Sequence, residues 1–342
     1  MVKIELTRTD LDKLAKNHYL ELCLPYYDIN DKLQTFTSTA GTLALAEHQA
    51  FAQLLSTNLK KILIGWPDEL EKLKPVLDAA FNQVIKAIDI APSLNTTTRK
   101  ATKSAYKSAL KLVFDYDRFT GHYSGYGAYA FAVNLGVNVC PYCNRQYTFT
   151  LDKKNGRTRP ELDHFLDRAK NLYFGVSFFN LVPSCHICNS NLKGTKKFSN
   201  DTHLNPYTTC FNDVLNFSIG IKTVDFINGK HKSFTINQIP APGALPANVD
   251  KAKRNAAVFQ HSELYNNHQD LVKELLLKAY HYTPKRRAEL SKLTSDETGL
   301  ALFKDESEVD RFITGVYTEV SELGKRPMSK LIRDIGRELK LL

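Results

Sequence analysis

Two short cysteine pairs, Cys140-Pro141-Tyr142-Cys143 and Cys185-His186-Ile187-Cys188, constrain this 342-residue chain more than any other feature. Two intervening residues let both sulfurs of a pair reach one ion, and two such pairs about forty residues apart can close on one tetrahedral site. Four thiolates at about 2.3 Å suit Zn²⁺, and a shell closed by four protein ligands leaves no position for substrate. The expected zinc is therefore structural. It would contribute on the order of 10 kcal/mol to folding a region with little core of its own. The competing readings are unrelated buried cysteines or a redox pair. Cys23 and Cys210 are single and read as core residues. His186 lies inside the second pair, but neighbouring positions rarely point at the same ion.

The N-terminus lacks the apolar stretch of a secretory signal, and no apolar run approaches the ~18 residues of a membrane span. The expectation is a cytoplasmic protein without a membrane partner, in a compartment where thiols stay reduced and are free for metal. The composition, 43% apolar and 24% charged, is globular. Lysine and arginine outnumber aspartate and glutamate by 46 to 36. That balance suits an acidic partner, with nucleic acid the commonest, but does not establish one.

The chain divides into three expected regions of an α+β, mainly helical protein. Residues 1–125 read as a helical region. Ser38 to Ile64 carries apolar side chains three and four apart, Pro67-Asp68-Glu69 is a helix start, and Asn95-Thr96-Thr97-Thr98 interrupts the pattern. Lys100, Lys103, Lys107 and Lys111 then follow at helical spacing, as a solvated face or a nucleic-acid-facing one. Residues 126–212 hold the cysteine pairs, a β segment from Gln146 to Leu151, an Asn155-Gly156 turn of hairpin type, and a second β segment carrying Glu161-Leu162-Asp163-His164. Residues 213–342 read as a β-hairpin around Asn228-Gly229, then helices broken near Thr283-Pro284 and Pro327.

Asp163-His164 between the cysteine pairs is a weak signal alone, but Asn180 precedes the second pair and Asn189 follows it directly. With those residues, the stretch 140–198 resembles the HNH endonuclease family, whose ββα-metal site often rides on a four-cysteine zinc knuckle. The nine residues from Asn180 to Asn189 agree with that motif. Lys193-Gly194 comes slightly later than the usual lysine, and Asp167 stands where the family commonly has proline. Asn205-Pro206-Tyr207, with Phe211, and Arg326-Pro327-Met328-Ser329-Lys330 are similar to bacterial HNH proteins that work beside an ATPase in anti-phage systems of the Septu and retron kind.

The resemblance implies a metal-dependent endonuclease that hydrolyses DNA. His164 would take a proton from water. Asp163 and Asn189 would hold catalytic Mg²⁺ or Mn²⁺ as hard oxygen ligands. Asn180 would orient the loop holding His164. Ser184 would cap the helix at the second pair. Lys193 reads equally as a phosphate contact or a solvated surface lysine, and Asp167 as a salt-bridge partner of Arg168 or Lys170. His122, His203 and the triplet Lys285-Arg286-Arg287 receive no role. Two alternatives stand beside this one, a non-catalytic zinc-knuckle module binding nucleic acid or protein, and an RNA-cleaving nuclease. Oligomeric state and site specificity are not legible. Charge is: Cys140 to Asn200 holds ten basic residues against four acidic ones, so six of the net ten positive charges fall there.

Overall fold

A computed structural model of the chain describes residues 1–39, 46–121, 125–221, 234–294 and 299–342. His122 and the Asn228-Gly229 turn lie outside the described residues, as do residues 40–45 of the stretch that begins at Ser38. The first region consists of α1 (Arg8–Leu22), α2 (Ile29–Thr39), α3 (Ala46–Ile64), α4 (Pro67–Ile90) and α5 (Thr96–Val113), followed by the short α6 (Tyr116–Gly121) and α7 (Ala128–Leu135). Local chemistry sets the ends. Gly65 separates α3 from α4, and a Cβ there would meet the Lys61 carbonyl at 2.5 Å. Glu69 reaches back 2.8 Å to the Trp66 N–H, with Pro67 opening the helix. Asn95, read above as part of an interruption, is the cap of α5 and accepts from the Thr98 N–H at 2.9 Å. On α5, Lys100, Lys107 and Lys111 are exposed, while Lys103 pairs with Asp89 at 2.6 Å.

The central region is built of short strands: β1 (Leu151–Lys153), β2 (Gly156–Thr158), β3 (Glu161–His164) and β4 (Leu181–Ser184). The β segments at 146–151 and 161–164, which flank the hairpin-type turn, do not pair with each other. β1 pairs with β2 through a tight turn, and β3 pairs antiparallel with β4, Glu161 opposite Ser184 and His164 opposite Leu181. Among the described residues neither Asn155 nor Gly156 takes a positive φ, so the hairpin there is not of the kind that dipeptide favours. β4 is buried along its whole length, and pairing with it satisfies the β3 backbone inside the core. A helical turn, Ile187–Lys193, follows β4 directly, giving a strand–strand–helix order.

One apolar core runs from α1 through Tyr142, Phe165, Phe174, Phe178 and Val182 to Phe259, without a break at residue 125. The helical region therefore forms the floor on which β3 and β4 lie. A second core gathers around β5 (Leu215–Ile221) and β6 (Phe234–Pro240), an antiparallel pair. The C-terminal helices follow, α8 (Pro246–Val258), α9 (His261–Asn266), α10 (Gln269–His281), α11 (Pro284–Leu290), α12 (Glu306–Thr314) and α13 (Ser329–Glu338). Tyr265 of α9 and Leu331 and Ile335 of α13 belong to that second core. No described helix is long and apolar enough to cross a membrane.

Candidate metal centre and the strand beside it

The four cysteines converge. The sulfurs of Cys140, Cys143, Cys185 and Cys188 all lie within 4.8 Å of one another, and those of Cys143 and Cys185 are 3.9 Å apart. Four sulfurs around an ion at about 2.3 Å sit about 3.8 Å apart, so the cluster has the dimensions of a tetrahedral thiolate site and could hold a metal ion such as zinc. The thiols cannot ionise independently. Burial, before its neighbours, pushes Cys140 well up, and hydrogen bonds led by Cys140 push Cys188 up as well. The same neighbours pull Cys143 well down and Cys185 down. A cation removes that competition by taking all four as thiolates. Cys23 and Cys210 lie outside the cluster.

The first pair forms a tight turn. Asn144 N–H donates to the Cys140 carbonyl at 2.7 Å, Cys140 N–H to the Gln146 carbonyl at 2.9 Å, and Arg145 N–H points at the Cys143 sulfur at 3.4 Å. Asn144, at φ +50°, makes the left-handed step this turn requires. The rest of the chain grips the turn. Val2 N–H donates to the Pro141 carbonyl, Tyr265 OH to the Cys143 carbonyl, and Met328 N–H to the Asn144 carbonyl. Asn144 in turn binds the Leu323 carbonyl and the Lys330 N–H. The Arg326–Lys330 stretch singled out in the sequence is thus part of the packing around the metal turn. Tyr207 instead holds β4, its OH reaching the Leu181 carbonyl at 2.6 Å.

The second pair opens a π-helical turn, in which Gly194 N–H reaches the Asn189 carbonyl five residues back. Such a turn takes up one residue more than an α-turn. A lysine that comes slightly late in sequence is thereby returned to the face that meets β3. Lys193 Nζ lies 2.8 Å from Asp163 Oδ1 and 2.7 Å from the His164 carbonyl, while Tyr142 OH donates to Asp163 Oδ2 at 2.6 Å. Asp163 and Lys193 are each 2% exposed. This corrects two expectations. Lys193 is neither a solvated lysine nor placed to touch a phosphate, because its ammonium is enclosed with its counter-ion. Asp163 and Asn189 are not brought together. Both Asp163 oxygens are occupied, and the Asn189 amide donates instead to Glu161 at 2.9 Å. The donor set as it stands does not fit Mg²⁺ or Mn²⁺ between those two residues.

His164 occupies the other pleat of β3. Its Nε2 is 2.8 Å from the Gly175 carbonyl, which can only accept, so Nε2 carries the proton and Nδ1 the lone pair. Among the described residues Nδ1 has no hydrogen-bond partner. Tyr116 packs edge-on against the ring at 4.5 Å, and Arg168 stacks over Tyr116 at 4.6 Å while pairing with Asp117. Burial, aided by Arg168 and Lys193, lowers the His164 pKa to about 4 against the pull of the Gly175 carbonyl, so the ring is neutral at neutral pH. Asn180 clamps the loop beyond it. The Oδ1 atom accepts from the Leu166 N–H at 2.7 Å, and Nδ2 donates to the carbonyls of Leu166 and Phe174. Among the described residues Asp167 forms no ion pair. Its carboxylate caps the Ala169 N–H at 3.0 Å and shapes the loop where the resemblance leads one to expect proline.

Ser184 does not cap the following helix; its hydroxyl is buried without a hydrogen-bond partner among the described residues. Three neighbours of the site carry no site role in the sequence reading. Tyr116 and Arg168 reach His164 from other elements, and no sequence signal joins them to it. Glu161, two residues before Asp163 on the same pleat, binds His186 Nδ1 at 2.6 Å and Ser190 Oγ at 2.7 Å. Its spacing from Asp163 was the available signal. Burial opposes the Glu161 charge, but the bonds from His186, Ser190 and Asn189 outweigh it and hold the carboxyl below its ordinary value. No family model, curated protein or solved structure matches this chain.

Proposed function

We propose that the protein is an HNH-type nuclease that hydrolyses phosphodiester bonds, with DNA as substrate and a structural zinc on the four cysteines. The observation that carries the reading is His164, a neutral imidazole fixed through Nε2–H on the Gly175 carbonyl, its Nδ1 lone pair without a partner among the described residues. That is the state a general base needs to take a proton from an attacking water. Arg168 beside it offers positive charge to a phosphate, and the basic excess of residues 140–200 supports an anionic substrate. Asn180 holds the His164 loop in register, and Asp163 and Lys193 act as a buried pair that anchors β3 to the π-turn. Zinc, when bound, supplies the cross-link between the two cysteine turns. A partner ATPase and a role in anti-phage defence belong to the same proposal on sequence resemblance alone.

The enclosed Asp163–Lys193 pair favours one other reading, a zinc-stabilised module that binds nucleic acid without cutting it, because it leaves no carboxylate at that point for a catalytic cation. Incubation with supercoiled plasmid, with and without Mg²⁺ or Mn²⁺, separates the two. Cleavage by the wild type and its loss in His164→Ala support the nuclease. Cleavage undiminished in that variant removes the proposed base. Binding without cleavage under every condition favours the module.

A further inference from the structure

From the cluster around Glu161 we infer that the chain carries a second, exposed seat for a divalent cation, formed by Glu161, His186 and Asn189 and distinct from the four cysteines. Glu161 Oε1 lies 2.6 Å from His186 Nδ1, and Oε2 lies 2.9 Å from the Asn189 amide and 2.7 Å from Ser190 Oγ. Donors on adjacent corners of an octahedral ion with bonds of about 2.1 Å sit about 3 Å apart, so these groups need only small outward shifts. Asn189 presents Oδ1 by turning its amide, whose two ends have nearly the same shape. A carboxylate, an imidazole and an amide oxygen form a mixed set that suits a first-row ion such as Mn²⁺ better than Mg²⁺.

A separate observation points into the same place. Ser184 is the direct cross-strand partner of Glu161 and shares its face of the β3–β4 ladder. It is fully buried, and its hydroxyl has no hydrogen-bond partner among the described residues. With Glu161, His186 and Arg159 it lines a cleft of about 390 Å³. A ligand in that cleft, the ion or a water on it, would satisfy this orphaned hydroxyl. The open side leaves coordination positions for water or a phosphate oxygen. In this last respect the inference rests on the nuclease reading, while the ion's binding does not.

The test uses the full-length, zinc-loaded protein and Mn²⁺ itself, followed by the loss of the free-ion electron paramagnetic resonance signal. One Mn²⁺ per chain beyond the zinc is expected, weakened at least tenfold in both Glu161→Gln and His186→Ala and unchanged in His164→Ala. Zinc content and the thermal transition of each variant check that it is folded. No binding to the wild type at millimolar Mn²⁺, or binding undiminished in both site variants, overturns the inference. The resonance is read without nucleic acid. An inactive protein that binds Mn²⁺ in this way therefore counts against the nuclease alone, and an active one that does not counts against the seat alone.

Discussion

Cys140-Pro141-Tyr142-Cys143-Asn144 and Cys185-His186-Ile187-Cys188-Asn189 share one pattern, yet the chain uses them in opposite ways. The first is a left-handed turn enclosed by backbone from both ends of the described chain, and its Asn144 is fully buried with its side chain bonded to Leu323 and Lys330. The second is helical, and its Asn189 and His186 face outward onto Glu161. Spacing makes sulfurs converge. It does not decide which turn becomes a structural hub and which borders a cleft. That depends on what packs against each, and α9 and α13 pack against the first.

Metal removal should break the comparison most severely, since both turns lose their common anchor. Chelation, or Cys143→Ser, is expected to cost on the order of 10 kcal/mol. Calorimetry should show the native transition lost, and elemental analysis should find about one zinc per chain in the intact protein. A folded, zinc-free preparation would contradict the assignment.

The buried pair that ties the second turn to β3 comes next. Lys193→Met alone leaves Asp163 enclosed without its cation and should cost about 3–5 kcal/mol. Asp163→Asn in the same chain should recover part of that, a non-additivity measurable by denaturant titration.

Acid should also act far from both turns, in the helical region. His18 is buried between the Tyr126 hydroxyl, 2.7 Å from Nδ1, and the Val176 carbonyl, 2.8 Å from Nε2, and burial lowers its pKa to about 4. The unfolded chain, with a histidine pKa near 6.5, binds the proton more readily, so the stability from neutral His18 is complete above about pH 6.5. It is lost as pH falls toward 4, by roughly 3 kcal/mol for this group. Unfolding free energies between pH 7 and 4 check it, and His18→Gln should flatten the slope.

The twin asparagines give the finest discrimination. Asn144→Ala loses buried hydrogen bonds and keeps a strained φ, for an expected cost of about 2–3 kcal/mol. His186→Ala, beside the other twin, removes an exposed pair and should leave the thermal transition essentially unshifted. Equal effects at the two positions would erase the distinction between hub and border.

Much of this is legible in the sequence. The sulfur cluster followed from spacing, because two-residue gaps leave the side chains little choice. The helices of the first region followed from apolar periodicity with Pro67 as a start signal, although Asn95 shows that a polar run can be a cap as well as a break. The β3 segment was visible. Its partner was not, because strand pairing is a long-range choice and sixteen residues of aromatic loop separate β3 from β4.

What the sequence determined by itself is therefore the set of groups and their local geometry: four cysteines whose sulfurs converge, an acid and a histidine on opposite pleats, asparagines nine residues apart, and positive charge concentrated around them. Tertiary structure alone decided the partners. The π-turn returned Lys193 to Asp163, Tyr142 closed the second oxygen, and Asn189 went to Glu161. The physical reason is that period and spacing set the direction of a side chain, while its charge state and availability depend on what distant segments bring against it.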